Sequence, residues 1–298
     1  MCPICKKKAL FETVETWQEY TLRRCLSCDV VFSDPLKNPG ASWYENSEMY
    51  AVGRYLHVRL AWPHLQFLDE MPKGRTLLDV GCGTGIFLHE AEKKGYQPWG
   101  LDFSREDIKV GQGRFGLKNL FAMGIEGFSK KNKSKRFDII SFFEVIEHMD
   151  QPADFLSKVK KLLKPGGLIV LSTPNRDRSL DTLAEGDYPP NHLTRWNEKS
   201  LRAFLERQGF EVVTVVTKKF EWDEVAAFIK AKIKFGIARR MAKRGLDNQD
   251  QGTVQQAAKL MRIKDFIAKA IALPVALVLK LLPMQGTGLF CIARVPLK

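Results

Sequence analysis

Between residues 75 and 217, short apolar runs alternate with stretches of helical spacing. Thr76-Leu77-Leu78-Asp79-Val80 is a buried strand that closes on Gly81-Cys82-Gly83-Thr84-Gly85. A helix is predicted over 86–94, then a strand over 97–101 with Asp102 at its end, then a helix from the N-cap Ser104 to about Phe115. A weak strand spans 119–122 and a strong one 137–143. A helix over 153–163 stops at Lys164-Pro165-Gly166-Gly167, and 168–172 is the next strand. The helix over 198–208 ends at a C′ glycine, Gly209, before a strand over 210–217. A final strand, 288–295, has no helix after it. Strands that alternate with helices predict an α/β, doubly wound, mostly parallel sheet with helices on both faces.

Three segments lie outside this alternation. Residues 1–35 form a candidate small domain. Residues 36–72 read as a helical connector, broken first at Pro39-Gly40 and then rich in Trp and Tyr. Those aromatics predict helices packed on the main domain, and Tyr50 and Tyr55 are candidates to cover a ligand site. Residues 222–283 are a helical insert within a main domain of 73–298. Val225, Ile229, Ile233, Ile237 and Met241 make an apolar stripe there, and Ile271 to Leu279 is almost wholly apolar.

The 298 residues are 45% hydrophobic and 27% charged, which excludes intrinsic disorder of the whole chain. The first residues lack the apolar core of a secretory signal. No late apolar run reaches the ~20 residues of a spanning helix. A cytoplasmic setting is expected. Net charge is +13, and residues 222–283 carry 12 Lys/Arg against 5 Asp/Glu. That basic insert reads as a lid with solvated lysines or as a peripheral contact with anionic membrane. Nucleic acid fits it less well, because the insert lacks aromatic stacking platforms.

Four of the six cysteines stand as Cys2-x-x-Cys5 and Cys25-x-x-Cys28, with 19 residues between the pairs. Each pair is a tight knuckle that aims two thiolates at one point, and two knuckles make a tetrahedron. This is the layout of a zinc ribbon, a closed structural site. Short strands are expected between the knuckles, at Leu10-Phe11 and over 16–22.

The loop Gly81-x-Gly83-x-Gly85 sits at a strand-to-helix turn, with an acid 17 residues beyond Gly85, at Asp102. An acid so placed accepts ribose hydroxyls. Ile86 breaks the dinucleotide fingerprint, and the P-loop Gly-Lys-Ser/Thr ending is absent. Asp79 disfavours a pyrophosphate and suits a cationic ligand such as S-adenosylmethionine (SAM). The motifs at 78–85, Gly100-Leu101-Asp102, 137–140, Glu144-Val145-Ile146-Glu147-His148 and 163–167 resemble the class I SAM-dependent methyltransferases. That resemblance implies seven strands in the order 3-2-1-4-5-7-6, with strand 7 antiparallel and the insert between strands 6 and 7. It also implies that Gly81, Cys82, Gly83 and Gly85 line the methionine and ribose, that Asp79 helps hold the amine, and that Asp102 binds the ribose. Phe103, Gly124, Ile125 and Glu144 complete the cofactor set. Relatives often place an acid near the adenine amine, where this chain reads Met123-Gly124-Ile125-Glu126.

Methyl transfer needs alignment, and a hydroxyl acceptor also needs a base or metal. Glu144, Glu147 and His148 follow the fourth strand, on what reads as one helical turn, and His192 follows the fifth. This segment is similar to one in the ubiquinone-pathway O-methyltransferases and the small-RNA 2′-O-methyltransferases, where it can hold a divalent metal. Mg²⁺ or Mn²⁺ held by Glu144, Glu147, His148 and His192, or a metal-free base among them, are both consistent with the residues. The expected activity is SAM-dependent methylation of a small or lipid-linked metabolite. RNA methylation and a non-catalytic SAM-binding scaffold are the alternatives, and oxygen, carbon and nitrogen acceptors all stay open.

Overall fold

The computed structural model describes residues 1–46, 59–180, 183, 185–221, 224–226, 228–229, 250–279 and 282–297. Three strands come first: β1 (Phe11–Trp17), β2 (Tyr20–Cys25) and β3 (Val31–Asp34). Two helices follow, α1 (Ala41–Asn46) and α2 (Trp62–Glu70). The alternating region runs β4 (Thr76–Val80), α3 (Ile86–Lys93), β5 (Gln97–Asp102), α4 (Arg105–Phe115), β6 (Leu120–Ala122), α5 (Ile125–Lys131), β7 (Phe137–Phe143), α6 (Pro152–Leu162) and β8 (Leu163–Pro174). The chain continues through β9 (Thr194–Arg195), α7 (Glu198–Arg207), β10 (Glu211–Lys219), α8 (Gln251–Leu279) and β11 (Gln285–Arg294).

The main sheet has seven strands in the order β10-β11-β8-β7-β4-β5-β6. Only β11 is antiparallel to its neighbours, so the order and the reversed last strand match the expectation. Parallel strands need crossovers, and the helices of those crossovers cover both faces. One core cluster holds Leu156 and Val159 of α6, Phe204 of α7 and Phe128 of α5. The other holds Phe67 of α2, Phe87 and Leu88 of α3 and Ile108 of α4. Ser104 caps α4 through the Asp107 N–H at 3.2 Å, as its position predicts.

Several boundaries differ from the sequence reading. The stretch 16–22 is not one strand, because the chain turns between Trp17 and Tyr20, with Gln18 at φ 52°. Helix α5 is an addition: its seven residues, about two turns, carry too little periodicity to show in sequence. The Lys164-to-Gly167 loop bulges out of β8, since Phe137 pairs with Leu163 and Ile139 already with Leu168. Tyr50, Tyr55 and most of the insert's apolar stripe lie outside the described residues.

A second sheet has the order β1-β2-β3-β9. Its fourth strand comes from the main domain, Val31 opposing Arg195 and Phe32 opposing Thr194. The core agrees, because Cys2, Ile4, Val30 and Phe32 share a cluster with Trp196 and Leu156. Helix α8 packs on a small core of its own, with Ala268, Ala272 and Ala276 against Phe220, Val225 and Ala226.

Candidate active site

The carboxyl ends of β4, β5, β7 and β8 and the loops beyond them build the site. After β4 the chain must turn sharply before α3, and Gly81, Gly83 and Gly85 take φ of 82°, 52° and 74°. That left-handed backbone favours glycine. A Cβ on Gly81 would lie 2.8 Å from Val145, and one on Gly85 2.8 Å from Leu117. A Cβ on Gly83 would meet nothing within 4 Å, so Gly83 faces open space. The Gly83 N–H donates to Asp102 Oδ2 and the Ser104 N–H to Oδ1, each at 2.8 Å. Each oxygen keeps a second lone pair, which suits two vicinal hydroxyls. Phe103 is half exposed beside Gly124, whose Cβ position is 3.0 Å from the Phe103 ring. Gly124 is the N-cap of α5 and Ile125 its first residue.

Asp79 is 3% exposed and accepts from Ser141 Oγ at 2.7 Å. Burial pushes its carboxyl up to about 7, against the Ser141 hydrogen bond. Burial also raises Asp102. A buried acid, a half-buried one and a loop open at Gly83 fit a ligand with a cationic head and a ribose, which describes SAM. Cys82 lies in the same loop. Its thiol is buried and would lie 2.7 Å from a Cβ on Gly100, so it packs inward. Glu126 is bonded at the surface to Lys130 (3.0 Å) and Lys158 (3.3 Å).

Past β7 the acidic-imidazole set gathers, but not on one helical face. Glu144 stands at φ 53°, before a 3-10 turn at Ile146–His148. A non-glycine residue at such an angle is uncommon and marks a constrained position. The Glu144 N–H donates back to Ser172 O at 3.1 Å, and Ser172 Oγ donates to Glu144 Oε1 at 2.7 Å. Its side chain is reachable by solvent, yet the cleft walls crowd it enough to raise its pKa by desolvation.

Glu147 is 1% exposed. Thr173 Oγ1 donates to its Oε2 at 3.2 Å, while Oε1 has no hydrogen-bond partner among the described residues. Burial and then the nearby Glu144 raise it well above the carboxylate range. His148 places Nδ1 2.8 Å from the Asn191 carbonyl. A carbonyl only accepts, so Nδ1 carries the proton and Nε2 is left as an acceptor. Burial lowers His148 to about 4 and His192 well below the usual imidazole value. Both rings are therefore neutral at pH 7, and the titration near 6.5 expected of an unperturbed base is displaced. The His148 and His192 rings are 4.8 Å apart, and Tyr44 of α1 sits edge-on to His148 at 5.9 Å. The ligand atoms of Glu147, His148 and His192 lie within 4.8 Å of one another; Glu144 is outside that group. An orphaned buried carboxylate oxygen beside neutral imidazoles fits a divalent cation.

The four cysteines also converge. Their sulfurs lie within 4.8 Å of one another, with Cys2 and Cys28 at 3.9 Å. The Cys28 contact pulls the Cys2 thiol down to about 5. Sequence reasoning did not single out Asp29, next to Cys28. Asp29 accepts from Arg24 (2.6 Å), Arg176 (2.8 Å) and Asn197 (2.9 Å). Burial opposes its charge, but these donors hold the carboxyl down at about 2. At the other end of this sheet Trp17 stacks on Tyr188 at 4.1 Å, and Arg195 pairs with Glu15. Ser33, Leu193 and Glu147 are joined in series, Ser33 N–H to Leu193 O and Leu193 N–H to Glu147 O, each 2.8 Å. Arg176 and Asn197 stand 147 and 168 residues from Asp29, so no local pattern in the sequence marks these contacts.

A methyltransferase-domain family model matches residues 52–215, more than half of the chain. The ubiquinone biosynthesis O-methyltransferase of Caulobacter vibrioides is 32% identical over 193 residues, covering 55% of this chain and 75% of that protein. That of Leptothrix cholodnii is 30% identical over 143 residues, 45% of this chain and 58% of its own. The chain thus spans under two thirds of the length of several curated relatives it matches. Among solved structures, a SAM-dependent methyltransferase from Archaeoglobus fulgidus matches at TM-score 0.53 and 20% identity, over 83% of this chain and all of that one. The plantazolicin methyltransferase BpumL in complex with SAH matches at TM-score 0.51 and 17% identity, over 86% of this chain and 93% of that one. These two likenesses bear on the fold. With the strand order, the glycine loop and a family match across more than half its length, the chain belongs to the methyltransferase-domain family of SAM-dependent class I proteins.

Proposed function

We propose that this chain is an enzyme that moves the methyl group of SAM to a hydroxyl of a small or lipid-linked metabolite. The observation that carries the oxygen acceptor is Glu147 Oε1, buried without a hydrogen-bond partner among the described residues and beside the acceptor nitrogen of a neutral His148. An alignment-only site for a carbon or amine nucleophile has no use for such a group. The ubiquinone-pathway relatives, O-methyltransferases by name, point the same way.

SAM supplies an electrophilic methyl on sulfur. Asp79 would hold its ammonium and Asp102 its ribose hydroxyls, while Phe103, Gly124 and Ile125 flank the base. Val145, in contact range of Gly81, ties the cofactor loop to the acidic-imidazole set. Glu147, His148 and His192 would hold Mg²⁺ or Mn²⁺, which lowers the pKa of a bound hydroxyl. Glu144 stands at the cleft rim, placed to orient the acceptor or take its proton. The cysteine cluster would hold a structural zinc.

The test has two arms. Calorimetry with S-adenosylhomocysteine (SAH) should show binding that Asp102→Ala weakens by about 1.5–3 kcal/mol, the value of charge-assisted hydrogen bonds. Labelled SAM with a panel of phenols and sugars should then give transfer that a chelator stops and Mn²⁺ restores, and that Glu147→Gln suppresses without weakening SAH. Transfer to amines alone, untouched by chelator or Glu147→Gln, would overturn the oxygen reading.

A further inference from the structure

Helix α8 is built inside out for a water-soluble surface. Its seam against the body is alanine: Ala268, Ala272 and Ala276 are buried, each four residues from the next. Its large apolar side chains face away. Phe266 is 73% exposed, Leu277 64% and Val278 66%, with Ile263, Ile267, Ile271 and Leu273 also open. At 100° per residue these positions, with Val275 also exposed, cover about 200° of the circumference. A protein partner covers one stripe of a helix, whereas fluid hydrocarbon wets every outward azimuth at once.

The charges are sorted along the same helix. Its first part carries Lys259, Arg262, Lys264 and Lys269, with Asp265 as the one acid, paired to Lys269 at 2.6 Å. Residues 270–279 hold no charge. They are about 15 Å long at ~1.5 Å per residue, roughly half of a ~30 Å hydrocarbon core. No helix among the described residues is long and apolar enough to cross a membrane. The surrounding stretch 222–283 has 12 Lys/Arg against 5 Asp/Glu, the sign that anionic headgroups attract.

We propose that the 270–279 end of α8 enters one leaflet of an anionic membrane, with the basic half of the helix at the headgroups. This surface is separate from the acidic-imidazole set and does not depend on the reaction proposed above.

The full chain should sediment with vesicles of equal parts phosphatidylcholine and phosphatidylglycerol, and not with phosphatidylcholine alone. Physiological salt should weaken this binding without abolishing it, because apolar burial adds to the charge attraction. Leu273→Glu with Leu277→Glu should lower partitioning by more than about tenfold. Both side chains point outward, so SAH binding should stay unchanged, which verifies folding. Three results would overturn the proposal: no sedimentation with the mixed vesicles; equal sedimentation by the double variant, which would mean charge adsorption only; or a dimer in vesicle-free solution that the double variant dissociates, which would make this face a contact between copies.

Discussion

Among the described residues no cation offsets the burial of Asp79, and its pKa of about 7 states the consequence. Between the unfolded carboxyl value near 4 and about 7, the folded chain binds more protons than the unfolded one. Stability of the free protein therefore falls as pH rises through that window. Asp79→Asn keeps the acceptor for Ser141 and removes the charge. The free variant should gain about 1–4 kcal/mol over wild type at pH 8 by urea denaturation, and no gain at pH 4. It should also lose SAH affinity, while wild-type affinity should rise between pH 5.5 and 7.5. Equal SAH affinity in variant and wild type would remove Asp79 from the cofactor site. Gly83 separates backbone from ligand effects in the same way. Alanine there has room but a left-handed φ, so Gly83→Ala should cost about 1–2 kcal/mol of stability and far more in SAH binding. The residues Asp79, Gly83 and Asp102 were legible because each sits at a fixed offset from the end of a strand. Ser141, Ser172 and Thr173, which hold Asp79, Glu144 and Glu147, were not, since a strand-end hydroxyl reads alike whatever it faces.

At the scale of elements, the cysteine-bearing sheet is not a free appendage. β9 completes it, Asp29 is clamped by Arg176 and Asn197, and the Ser33–Leu193–Glu147 hydrogen bonds run from it into the acceptor side. Cys25→Ser should release any bound zinc and loosen β1 to β3, because metal binding contributes folding energy in such sites. The loosening should spread to 185–197, seen as faster amide exchange there, while 76–102 stays protected. Protection of 185–197 that ignores the cysteine change would show the two parts fold independently. The strand and helix types were readable from period and punctuation. β9 was not, for two residues carry no pattern, and its pairing joins positions more than 160 residues apart.

For the molecule as a whole, the insert occupies a single connection of the sheet it interrupts. Lys219 pairs with Gln285, so β10 and β11 form a hairpin with the insert as its long connection. Replacing 222–283 by a short Gly-Asn turn should leave SAH affinity within about threefold of wild type, because closing a shorter loop costs little entropy. Stability should drop, since Glu224 is buried and holds Lys218 (2.8 Å) and Thr287 (2.9 Å). Loss of SAH binding together with loss of the sheet by circular dichroism would show the insert to be part of the main core. The strand order came from the family resemblance, whereas the doubly wound sheet, the cofactor loop and the four-cysteine cluster were readable from the chain's own pattern. Each is written in local terms: a period, a glycine at a turn, or a fixed spacing of thiols. Folding decided the rest. It closed the cysteine-bearing sheet with a strand from the main domain, turned Glu144 into a left-handed position off the helical turn, and buried Glu147 with one oxygen unmatched among the described residues. It also put alanines rather than the large apolar residues of α8 against the body. These follow from which surfaces meet across long separations, and pairwise burial between distant segments leaves no mark on the local pattern of either one.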